Sequence, residues 1–120
     1  MALNNDGLGA IISVAASADT VITGTSVTNN KNRFIRGLLI FNTSTSAAQT
    51  CSIHVVPASQ GGNGSSSAAN KIARMALAPS DTAFFEFPYP LTLTNTGDCI
   101  RVVNDSGSIV NVLPVGDVET

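Results

Sequence analysis

The chain has 120 residues, enough for one compact domain with a modest core and too few for a multidomain enzyme. Hydrophobic residues make up 43 % and charged residues only 12 %, about half of the usual share of about 25 %, which argues against disorder and leaves neutral polar groups to wet the surface. Six basic residues scattered singly through a chain of net charge −2 give no footprint for a phosphate backbone, so no nucleic-acid partner is expected.

Ser, Thr and Asn account for about 30 % of the residues, a composition common in all-β proteins with many turns. No apolar run approaches the roughly 18 residues of a membrane span, and no membrane partner is expected. Leu8 to Ala18 ends in Ala16-Ser17-Ala18, which is similar to a signal-peptidase site. However, no Lys or Arg precedes the stretch and Asp6 stands where a positive region belongs, so a leader is not expected.

Met1 to Gly9, with Asn4-Asn5-Asp6-Gly7, reads as an irregular N-terminal arm, and residues 10–120 as one domain. Short β-branched pieces follow at Ala10 to Ala16 and Val21 to Thr25. Phe34 to Asn42 is apolar on both faces, with Phe34, Leu38 and Ile40 on one and Ile35, Leu39 and Phe41 on the other; such a strand is predicted in the middle of the protein. Thr50 to Val56 is the next strand, closed by Pro57.

Ala58 to Asn70, with Gln60-Gly61-Gly62-Asn63-Gly64 and Ser65-Ser66-Ser67, is predicted to be a long loop, either mobile or held by a partner. Ile72 to Leu77 alternates with one face toward a core. Ala83, Phe85 and Phe87 alternate with Phe84 and Glu86 until Pro88 and Pro90 end the strand. Leu91 to Leu93, Cys99 to Val103 and Ile109 to Val115 complete the set. About eight short strands between turn signals predict an all-β fold, a single antiparallel β-sandwich or jelly-roll-like domain with an extended N-terminal arm.

Residues for chemistry are few. His54 is the only histidine; out of phase with Ile53 and Val55, it is expected as a surface or interface side chain. Triads and His-based zinc sites all depend on that one residue, and the carboxylate pairs lie around turns, so no catalytic residue, metal ligand, cofactor or small-molecule substrate is expected. Cys51 shares its phase with Ile53, whereas Cys99 opposes Ile100 and Val102; the two are expected as free thiols in different environments. Three Asn-x-Ser sequons, at Asn42, Asn63 and Asn104, follow from composition rather than from glycosylation. Phe84 opposes Phe85 and Phe87 in phase and either packs under another strand or is exposed for a partner.

Phe34-Ile35-Arg36-Gly37-Leu38-Leu39-Ile40-Phe41-Asn42-Thr43-Ser44, leading into Cys51 to Val56, resembles a segment of small tailed-bacteriophage virion proteins. The order Pro90-Leu91-Thr92-Leu93, Gly97-Asp98-Cys99-Ile100-Arg101-Val102 and Ile109-Val110-Asn111-Val112, closed by Gly116 and Glu119, is similar to that family's ending. The resemblance implies a short structural β-sandwich, not an enzyme, made in the host cytoplasm and placed on the capsid surface of the virion. There it would act as a cement or decoration protein bound to the major capsid protein, as a homo-oligomer with a trimer favoured. The alternative is a tail, baseplate or fibre component or receptor-binding module. On either reading the residues expected to reach a partner are Leu3, Asn4, Asn5 and Leu8 of the arm, Gln60 and Asn63 of the loop, and Phe84.

Overall fold

The computed structural model describes residues 3–4, 11–24, 32–58, 64–94, 97–105 and 107–119. Its strands are β1 (Leu3–Asn4), β2 (Ile12–Val14), β3 (Asp19–Gly24), β4 (Arg33–Asn42), β5 (Gln49–Val56), β6 (Lys71–Leu77), β7 (Thr82–Leu93), β8 (Cys99–Asn104) and β9 (Val110–Glu119), with a short 3-10 helix at Ala68–Asn70. One sheet runs β1-β9-β4-β7, with β2 sharing the β9 edge, and the other runs β3-β8-β5-β6. The fold is an antiparallel β-sandwich, as the alternation and the turn spacing predict.

The pairing is nested. β5 pairs with β6, β4 with β7, β3 with β8 and β2 with β9, while β4–β9 and β5–β8 contacts complete the sheets. Between the sheets lie Val14, Ile35, Leu38, Ile40, Cys51, Ile53, Ile100, Val102, Val110 and Val112, all fully buried. Each such aliphatic side chain contributes about 1.5–3 kcal/mol relative to exposure. Val14 lies in this core, with Ile12 and Ala18 packed against it.

Several expectations need correction. The core face of β4 is Ile35, Leu38 and Ile40, not Phe34, Leu38 and Ile40, because strict alternation breaks at Arg36. Ile35 faces Gly116 while Gly37 faces Val115, so Arg36 is an extra residue against β9 and the phase of the strand flips there. Nor do Pro88 and Pro90 end β7. Ile35 pairs with Leu91 and Gly37 with Glu86, so the segment Phe87 to Pro90 bows out opposite Arg36 and the strand resumes beyond it. β7 is an edge strand, where a missing N–H leaves no inner ladder bond unmade.

Leu3 and Asn4 pair with Glu119 and Val118 of their own chain, which withdraws the support for these two residues reaching a neighbouring subunit. Asn5 and Leu8 of the expected arm lie outside the described residues.

Buried amides tie the corners. Asn42 Nδ2 donates to the carbonyls of Ala47 (2.9 Å), Leu77 (3.3 Å) and Ala78 (3.1 Å), and its Oδ1 accepts from Ser44 N at 3.0 Å. Asn104 Nδ2 donates to the carbonyls of Val14 and Ser108, and its backbone N–H to Ala18 O. Both side chains are fully buried and spent on backbone groups, so these two sequons are corner staples.

Candidate functional site

The two sheets differ in what lies on their outer faces. On β5 and β8 the outward residues are Ser52, His54 and Val56 beside Cys99, Arg101 and Val103, since Ile53 faces Val102 across the ladder and points inward. His54 is nevertheless only 3 % exposed, contrary to the surface position its phase predicts. The described part of the long loop covers it. Gly64 O accepts from Arg101 Nε at 3.0 Å, Ser66 Oγ donates to Asp19 Oδ1 at 3.0 Å, and Ala58 N donates to Asp98 Oδ1 at 2.9 Å.

Asn70 completes the clamp. Its Nδ2 donates to Ser65 O at 2.9 Å, and its Oδ1 accepts from Ser67 N at 2.9 Å and meets His54 Nδ1 at 2.8 Å. With that oxygen an acceptor and the amide nitrogen already engaged, the network assigns the proton to His54 Nδ1 and leaves Nε2 as the acceptor in the neutral ring. The described loop residues are therefore held by their own sheet and need no partner. Gln60 and Asn63 lie outside the described residues.

Beside this clamp is a shallow polar hollow of about 340 Å³ lined by Asp19, Ser52, His54, Ser66, Lys71 and Asp105 among others. Its charges are largely paired, Asp19 with Arg101 at 3.4 Å and Asp105 with Arg74 at 3.7 Å. Ser52 and His54 lie two residues apart on one face without a hydrogen bond between them, so this serine is not joined to the imidazole as a nucleophile to a base. Among the described residues no three His, Cys, Asp or Glu side chains gather where they could hold a metal ion.

The cysteines are free and buried at opposite ends of the β5–β8 ladder, Cys51 opposite Asn104 and Cys99 opposite Val56. Burial, reinforced by the Asp105 charge, pushes the Cys51 thiol up to about 11. Burial also raises Cys99, against the opposing pull of Arg101.

Part of the outer face of the β1-β9-β4-β7 sheet is apolar and, among the described residues, has no covering segment. Leu39 pairs with Phe84 on one side and Leu113 on the other, which sets the three side chains in one row across the sheet. Phe84 is 46 % exposed, Phe41 38 % and Ile11 65 %. Phe84 thus stands exposed and is not packed under another strand. Its position depends on Gly37: a Cβ there would lie 2.7–2.8 Å from the Phe84 ring and 2.5 Å from Phe85 O, so only glycine admits the ring over the strand. Next to that row Ile11, Leu39, Phe41, Thr82, Asn111 and Leu113 line a hollow of about 260 Å³. At the other end of the face Arg36 pairs with Asp117 at 3.5 Å, and Glu86 stands exposed opposite Gly37.

Of the residues expected to reach a partner, Phe84 is the one that the described side chains place on this face. Leu3 and Asn4 are three strands away from β7 at the far end of β9. Ile11, Leu39, Phe41 and Leu113 were not singled out, because an apolar residue on either face of a strand predicts burial. Tyr89, 84 % exposed on the outward bow of β7, was hidden by reading its flanking prolines as a strand end.

Compared with family models, with curated proteins and with solved structures, the chain matches none.

Proposed function

We propose that this chain is a structural virion protein of a tailed bacteriophage. It acts as a cement or decoration subunit on the outer surface of the head, where it stabilises contacts between subunits of the major capsid protein. The single observation that carries the reading is the apolar patch built by Leu39, Phe41, Phe84 and Leu113 on the outer face of one sheet. A contiguous apolar surface of this kind marks protein–protein contact rather than solvent exposure.

The resemblance of Phe34 to Ser44 and of Pro90 to Glu119 to small virion proteins supports the same reading, and so does the nested strand order, which suits a jelly-roll-like subunit. On this reading the protein is an assembling subunit, not an enzyme, and the polar hollow at His54 serves loop anchoring.

Quantitative mass spectrometry of purified particles tests it. Hundreds of copies per particle, located on the head, are the expected result. A handful at the tail would replace the cement role with attachment or host recognition, and absence from particles overturns the reading.

A further inference from the structure

We infer that the apolar patch on the outer face of the β1-β9-β4-β7 sheet is occupied by a second copy of this chain, packed face to face about a two-fold axis that runs along β4. The inference rests on the reading of that face as an assembly surface and names its partner.

The strand registers supply the geometry. Phe84, Leu39 and Leu113 form one row, and Glu86, Gly37 and Val115 the next. Rotation by 180° about an axis along β4 exchanges the two sides of the sheet and keeps each row at its level. Phe84 on the β7 side of one copy then lands over Leu113 on the β9 side of the other, one wall of the hollow that also extends over Ile11, Leu39, Phe41, Asn111 and Thr82. A cavity of about 150 Å³ accepts a benzene ring; the hollow of about 260 Å³ has room for the Phe84 ring. A protruding ring that falls on one wall of a hollow in the same patch is the kind of match a self-complementary interface requires.

Charge complementarity favours the same axis. The rotation sets Glu86 of each copy over Val115 of the other, beside Arg36, which lines a small hollow with Val115 and Asp117. Arg36 is largely exposed and meets Asp117 through one guanidinium nitrogen at 3.5 Å, which leaves further donors for the incoming carboxylate. An axis across the strands would instead set the Arg36 and Asp117 end against Ile11 and Phe41 and strip water from the ion pair without recompense. A threefold needs two different complementary patches, whereas this face is one patch that complements itself. We therefore replace the trimer expected from the resemblance with a pair.

Area sets the strength. Four strand positions about 4.8 Å apart and five or six residues along each give a face of about 15 by 20 Å, well below the roughly 800 Å² per partner of a standard interface. The pair is accordingly weak and concentration-dependent.

Sedimentation equilibrium of the purified chain from about 1 to 300 µM tests this. A monomer–dimer equilibrium is expected, weakened about tenfold or more by Phe84→Ser and by Ile11→Ser. Ile11 is mostly solvent-exposed, so its replacement keeps the fold readable by circular dichroism. Arg36→Glu and Glu86→Arg each weaken the pair several-fold, and the double reversal restores it to within about threefold of the parent. Repulsion between Glu at position 36 and Asp117 is common to the single and double variants and cancels in the cycle.

A monomer at every concentration overturns the inference, as does a trimer or a dimer indifferent to Phe84→Ser and Ile11→Ser. A monomer that still binds heads, and loses that binding with Ile11→Ser, would assign the face to the capsid protein instead. Failure of the pairing in solution leaves the particle copy number to decide the virion reading separately.

Discussion

The outer faces of the two sheets solve the same problem in opposite ways. The β3-β8-β5-β6 sheet carries His54, Ser52 and Arg101 outward and lays its own loop over them, with Asn70 as the clasp. The β1-β9-β4-β7 sheet carries Leu39, Phe41, Phe84 and Leu113 outward, and no described segment lies over them. Polar groups thus receive an intramolecular cover that satisfies their hydrogen bonds, while apolar groups whose desolvation is favourable are left for association. The hydrophobicity of a side chain alone does not say whether its own chain buries it.

The sharpest way to disturb the contrast is Gly37→Ala. The added methyl would meet Phe85 O and the Phe84 ring, so the β4–β7 ladder must shift and the ring must move. The expected loss is about 2–3 kcal/mol, read from the denaturant midpoint. An unchanged midpoint would mean that the strand gives way easily and that Phe84 is not held.

The layer between the sheets is probed by alkali. Cys51 ionises near its ordinary value when unfolded and at about 11 when folded, so between these values the unfolded chain binds fewer protons. The stability associated with the protonated thiol is complete below about pH 8.5 and is lost as pH rises, on the order of 2 kcal/mol by pH 11. Cys51→Ala should flatten that alkaline slope in denaturant titrations from pH 8 to 11; an unaltered slope would assign the loss to other groups.

Asn70→Ala has a smaller effect, on the order of 1–2 kcal/mol, because it removes the loop clasp and leaves His54 Nδ1 without its acceptor. Modification of His54 by diethylpyrocarbonate should accelerate in parallel. If neither stability nor reactivity changes, the loop does not act as a cover and the two faces are more alike than described.

Much of the fold was legible because its cues are local. Period-two alternation in Cys51 to Val55 and in Ala83 to Phe87, with turn residues between strands, marks strand positions and most inward residues. The opposed phases of Cys51 and Cys99 likewise hold in the ladder. What escaped depends on partners distant in sequence. The phase flip at Arg36 exists only against β9, the bow at Pro88 and Pro90 only because β7 is an edge, and the burial of His54 only because Asn70 folds back over it. Of the candidate site, Phe84 stood out by its phase. Leu39 and Phe41 did not, because nothing in a strand says whether a second layer will cover it.

The nested pairing also governs when the protein can form during its synthesis. β4 has its neighbours in β7 and β9, and β2 pairs only with β9, so the strands made early wait for those made late. A nascent chain that has emerged only as far as β8 still shows the Ile35, Leu38 and Ile40 face with one flank unpaired. Completion of the sandwich therefore waits for β9, and a chain made only as far as β8 is the stage at which chaperones have most to protect.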